Sequence, residues 1–72
     1  MKRYRGSYNA LQDTVLRTGI VGEWIDLGNH KQYRTETGAV LNFWESTKTM
    51  TFQGLASASR EFGQMLDVVI GE

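Results

Sequence analysis

Polar and apolar positions recur along this chain with two periods, near 3.6 residues at both ends and 2 in the middle. Tyr8, Leu11, Val15 and Leu16 fall at helical spacing behind Ser7, a good N-cap residue, and Gly19 suits the C′ position. Leu55, Ala58, Phe62, Met65, Leu66 and Val69 form one apolar stripe with Arg60, Glu61, Gln64 and Asp67 off it, which predicts a second helix. Gly63 interrupts that helix, where Gly costs roughly 1 kcal/mol relative to Ala. The expectation is a close approach to another backbone at that point.

Between the helices, turn chemistry predicts strands and register together. Gly28-Asn29 is a two-residue hairpin turn. Folding there sets Asp26 opposite Lys31, Ile25 opposite Gln32, Trp24 opposite Tyr33 and Glu23 opposite Arg34. One register thus yields two opposite-charge pairs and an aromatic pair, each a favourable cross-strand combination. A three-residue loop, Glu36-Thr37-Gly38, then sets Tyr33 opposite Leu41 and Gln32 opposite Asn42. The last hairpin turns around Ser46-Thr47-Lys48.

Trp24, Tyr33, Leu41, Phe43, Met50 and Phe52 fall on one face, the expected core face. Glu23, Ile25, Gln32, Arg34, Val40, Asn42, Trp44, Thr49, Thr51 and Gln53 fall on the other. Two short amphipathic helices can cover only one face, so the second is expected to stay wet. The expected architecture is α+β: a small antiparallel meander sheet of three to four strands, flanked by an N-terminal and a C-terminal helix packed on one face. A long bent first strand would give α-β-β-β-α instead of α-β-β-β-β-α. Residues 1–72 read as a single domain, with 1–6 as a flexible basic N-terminal arm.

Charge and composition then narrow the chemistry. The chain balances 8 Lys+Arg against 8 Asp+Glu, with one His, no Cys and no Pro. Without cysteine there is no disulfide framework and no thiolate metal site, and a cytoplasmic location is expected. Residues 1–36 carry six basic and four acidic groups (6 − 4 = +2), and residues 37–72 two and four (2 − 4 = −2). No run approaches the length of a membrane span, and the basic opening is followed by polar residues rather than a signal-like apolar stretch. No cofactor and no membrane partner are expected.

Support for catalysis is thin. His30 is the one histidine, the carboxylates are scattered, and the glycines punctuate turns rather than building a phosphate loop. The segment Gly28-Asn29-His30-Lys31-Gln32-Tyr33, behind a helix and a hairpin, resembles the Gly-Ser-His strand of the HicA toxins, small ribonucleases. That likeness covers about six residues, with Asn29 where the family has Ser, and it implies a catalytic role for His30 alone. The helix–sheet–helix order is similar to double-stranded-RNA-binding domains. Their second helix starts lysine-rich, whereas Ser57-Ala58-Ser59-Arg60 offers a single cation.

The wet face is the better candidate. Trp44 and Arg34 can anchor a partner while Gln32, Asn42, Thr49, Thr51 and Gln53 supply adaptable hydrogen bonds. The expected function is a small non-enzymatic protein-binding module, a stand-alone regulator or inhibitor of the phage or mobile-element type that blocks a host or defence enzyme. The alternative is nucleic-acid binding, with Lys2, Arg3, Arg5 and Lys48 meeting the backbone and Trp44 stacking on a base. A HicA-like ribonuclease using His30 is the second alternative. Homodimerisation through an edge strand or the wet face is expected beside all three.

Overall fold

The computed structural model describes residues 2–71, the side chain of Lys2 excepted. The elements are β1 (Lys2–Arg3), α1 (Tyr8–Arg17), β2 (Gly22–Asp26), β3 (Lys31–Thr35), β4 (Ala39–Trp44), β5 (Thr49–Gly54) and α2 (Ala56–Gly71). Strands β2 to β5 form an antiparallel meander, and β1 adds to its far edge in the order β1-β5-β4-β3-β2. The class is α+β with an N-terminal and a C-terminal helix, as the periodicity predicts.

Local chemistry fixes the helix ends. The Ser7 hydroxyl accepts from the Ala10 amide at 3.2 Å, and Gly19 takes a φ of +76° just past the α1 C-cap, Thr18. In the first hairpin, Gly28 alone of the two turn residues takes positive φ, and the Asp26 carboxylate accepts from its amide at 2.8 Å. The register of β2 on β3 matches the expected pairing at all four positions, and so do Tyr33–Leu41 and Gln32–Asn42 between β3 and β4. Four residues, Glu45 to Lys48, join β4 to β5, with Lys48 at a φ of +57°.

The core lies between one sheet face and the two helices. Leu11 and Val15 of α1 and Phe62 and Leu66 of α2 are buried with Tyr33, Ala39, Leu41, Phe43 and Met50. Trp24 and Phe52 pack at its margin, with Phe52 edge-on to Phe62 and Trp24 tilted against Tyr33. The Tyr33 hydroxyl donates to the Ile20 carbonyl at 2.8 Å, and burial raises its pKa above the ordinary tyrosine value.

Three expectations need correction. Lys2–Arg3, in the segment read as a flexible arm, pairs with Met50 and Thr49, and Tyr4 continues it by donating its amide to the Lys48 carbonyl at 3.0 Å. Apolar burial of Tyr4, edge-on to Phe43, anchors that segment. Asp26 and Lys31 form their ion pair at 2.9 Å. Among the described residues Glu23 and Arg34 do not, because Arg34 Nε donates to Gln32 Oε1 instead. At Gly63 no backbone comes close: the nearest atom to a Cβ there would be Phe52 Cζ at 4.0 Å.

The helix-free sheet face as candidate functional site

Strand alternation places Glu23, Ile25, Arg34, Gln32, Val40, Asn42, Trp44, Thr49, Thr51 and Gln53 on the face opposite the helices. Trp44 therefore projects away from the core, while its neighbour Phe43 is fully buried. Continuing the β3–β4 register by one step brings His30 opposite Trp44. Their rings stack with centroids 4.4 Å apart and planes within 15°. His30 Nδ1 and Asn29 Oδ1 lie 2.7 Å apart, a hydrogen bond in which the amide oxygen accepts. That stack was not foreseen from the sequence, although the register carried it.

Beside the stack runs a chain of side-chain hydrogen bonds across three strands. Arg34 Nε donates to Gln32 Oε1 at 2.7 Å, Gln32 Nε2 to Asn42 Oδ1 at 2.8 Å, and Asn42 Nδ2 faces Thr51 Oγ1 at 3.4 Å. Gln32, Asn42 and Thr51 are successive cross-strand partners, so the ladder follows from register alone. It has a consequence for the expected contact set. Gln32 is only 7% exposed and Asn42 4%. Their amides bond laterally to one another and to Arg34, so they stiffen the face and offer it little surface. Arg34 and Gln53 are exposed, and Trp44, Thr49 and Thr51 are half-buried. Among the described residues no buried side-chain nitrogen or oxygen lacks a partner.

The residues expected to meet a nucleic-acid backbone divide. Pairing of β1 puts Arg3 opposite Thr49, which is itself opposite Trp44, so one transverse row reads His30, Trp44, Thr49, Arg3. Arg3 and Arg5 are exposed. Lys48 is partly used, because its Nζ donates to the Gly6 carbonyl at 3.1 Å and fastens the N-terminal segment. The side chain of Lys2 lies outside the described residues.

At the turn end of the sheet, Lys31 lies over the Tyr8 ring at 5.4 Å and pairs with Asp26. The hydrogen bond between them lowers the Asp26 pKa and raises that of Lys31, while burial raises that of Tyr8. The Glu45 carboxylate accepts from the Tyr8 amide at 3.0 Å. These contacts hold the start of α1 against the β2–β3 hairpin. They leave His30 hydrogen-bonded to an amide rather than a carboxylate, so no acid–base pair is assembled around it among the described residues. No group of described residues could hold a metal ion, and no described helix is long and apolar enough to cross a membrane. Comparison with known proteins finds no matching family model, no matching curated protein and no matching solved structure.

Proposed function

We propose that this protein is a non-enzymatic module that binds a protein partner through its helix-free sheet face, with Trp44 and Arg34 as anchors. One observation carries the reading. Trp44 stands off the core with one ring face supported by His30, beside an amide ladder that already satisfies its own hydrogen bonds. Tryptophan and arginine are the side chains that most often dominate binding energy. Here they are held before a partner arrives, which spares roughly 0.5–1.5 kcal/mol for each side chain that would otherwise be ordered on binding. Such a face supports occupying another protein's surface, the action of a regulator or inhibitor.

The test is affinity capture from the native host with wild-type protein, Trp44→Ala, Arg34→Ala and, as a control on the helical side, Asp13→Ala. Loss of the same captured protein with the first two variants and its retention with the third support the reading. Retention by Trp44→Ala with an unchanged circular dichroism spectrum would sink it.

A second reading draws on a separate observation: β1 brings Arg3 into the Trp44 row, so a stacking ring and a cation share one row. Single-stranded nucleic acid would fit that row. Quenching of Trp44 fluorescence by oligo(dT) in a Trp24→Phe background, weakening as salt rises, would favour it over the protein partner.

A further inference from the structure

The two sheet edges are unequal. Edge β5 is covered opposite Met50 and Thr49 by β1, whereas β2 has no neighbour on its outer side among the described residues. β2 contains neither Pro nor Lys and pairs with β3 over five consecutive positions without a bulge, so of the usual edge guards it carries only the charges of Glu23 and Asp26.

Its hydrogen-bonding groups can be assigned. The Leu27 amide donates to the His30 carbonyl, and the Glu36 amide donates to the Val21 carbonyl, each at 3.0 Å. Antiparallel ladders alternate, so residues 21, 23, 25 and 27 bond toward β3, and the backbone groups of Gly22, Trp24 and Asp26 point outward. These three positions are symmetric about Trp24.

We infer that β2 pairs antiparallel with β2 of a second copy of this chain, about a two-fold axis between the two Trp24 residues. Rungs form between Trp24 and the second copy's Trp24, and between Gly22 and Asp26 in both directions, so every outward group is used. On the helix-free face the same register sets Val21 opposite Leu27 and Glu23 opposite Ile25. Val21 is 62% exposed and Leu27 45%, and they flank the strand at its two ends. Symmetry about Trp24 makes these exposed apolar residues meet each other. Moving the axis to Glu23 would oppose the two glutamates, and moving it to Ile25 would set Trp24 against Asp26. Leu16, 76% exposed, lines a cleft with Gln12, Gly22 and Trp24 along the same edge and adds apolar surface on the helical side.

The axis runs normal to the sheet, so both helix-free faces look the same way. Their Trp44 residues lie five strand intervals apart, about 24 Å across the strands at the usual spacing. The inference does not depend on what the Trp44 face binds.

The chain has no cysteine of its own, which makes the register testable by cross-linking. Glu23 and Ile25 of facing copies form a pair not hydrogen-bonded to each other, with Cα atoms roughly 4.5 Å apart, within disulfide reach. Within one chain the two positions are about 6.8 Å apart along the strand, with parallel side chains that cannot close the bond. Glu23→Cys/Ile25→Cys is therefore expected to run as a covalent dimer after mild oxidation, and each single variant as a monomer. Wild-type protein is expected to sediment at twice its 8.2 kDa mass at high concentration. Val21→Lys/Leu27→Lys should return it to the monomer mass, and Val21→Lys/Leu27→Glu should restore the dimer. Both positions are exposed, so circular dichroism should not change. Trp44→Ala should leave the dimer intact, which separates this result from failure of the partner-binding reading. A wild type that remains at 8.2 kDa up to hundreds of micromolar overturns the inference, as does a double-cysteine variant that cross-links no more than the single ones.

Discussion

Cutting the amide ladder at its centre tests whether the helix-free face is as stiff as its hydrogen bonds imply. Asn42→Ala removes the acceptor 2.8 Å from Gln32 Nε2. The lost bond is worth about 1 kcal/mol net, and leaving a buried amide donor without a partner costs about 1–3 kcal/mol more. Gln32 is 7% exposed, so water cannot readily replace the acceptor. The 3.4 Å contact to Thr51 lies at the limit of a hydrogen bond and adds little. The expected loss is about 2–4 kcal/mol. At about 4–8 °C per kcal/mol for a domain of this size, the melting temperature should fall by about 8–30 °C. Gln32→Leu/Asn42→Leu removes donor and acceptor together, and replacing both partners by apolar groups of similar shape is close to neutral. Its stability should lie within about 1 kcal/mol of wild type. Urea unfolding followed by circular dichroism of wild type, Gln32→Leu, Asn42→Leu and the double variant reads all four corners of the cycle. An Asn42→Ala loss below about 0.5 kcal/mol would show that water reaches the ladder. A double variant as unstable as the two single losses added together would refute the reasoning.

Other expectations concern backbone fit and pH. Gly63→Ala should stabilise α2 by about 1 kcal/mol, because the added methyl meets nothing nearer than Phe52 Cζ at 4.0 Å; a loss of stability on thermal melting would show that the space is not free. Gly54→Ala should cost at least about 2 kcal/mol, since its φ of +98° disfavours a side chain and the new Cβ would collide with the Gly38 carbonyl oxygen. A melting temperature equal to wild type would contradict that. The Asp26 carboxyl is held below its ordinary pKa chiefly by the hydrogen bond from Lys31, with the Gly28 amide adding to it. A carboxyl lowered in the folded state stabilises above its unfolded pKa, and that contribution is lost as pH falls through the folded value. The Asp26→Asn variant should therefore lose less stability than wild type as pH drops below about 4, and parallel acid limbs would count against the assignment.

Much of this fold was legible because turns and side-chain parity act over a few residues. Gly28-Asn29 sets a loop length, the loop sets the register, and the register puts Trp24 against Tyr33 and Asp26 against Lys31. The same parity sends Phe43 inward and Trp44 outward. What the sequence concealed depends on contacts between distant segments. β1 is two residues long, and it pairs with β5 because Tyr4 finds Phe43. The choice Arg34 makes between Glu23 and Gln32 is also invisible in a pairing diagram. Cross-strand register puts Glu23 opposite Arg34, yet Arg34 Nε bonds Gln32, whose own amide is held by Asn42. Gly63 misled for a related reason: a glycine in a helix shows that a side chain is absent, but not what lies opposite.

Net charge illustrates the same limit for function. Eight cations balance eight carboxylates over the whole chain, a total that does not say where the charges stand. Strand parity divides the charges unequally. Arg3 and Arg34 stand on the helix-free face against Glu23, whereas Asp13 lies on α1, Glu61 and Asp67 on α2, and Glu36 and Glu45 in turns. Charges on the far side of a domain this wide lie more than a Debye length away, about 8 Å at physiological salt. A partner approaching this face meets Arg3 and Arg34, with Glu23 directly opposite Arg34 and Glu45 following Trp44 in the turn. On the proposed binding face, charges placed in this way would select orientation more than add affinity, with the Trp44–His30 stack supplying the contact. Under the proposed reading, Arg3 and Arg34 would orient a partner and the supported indole would hold it.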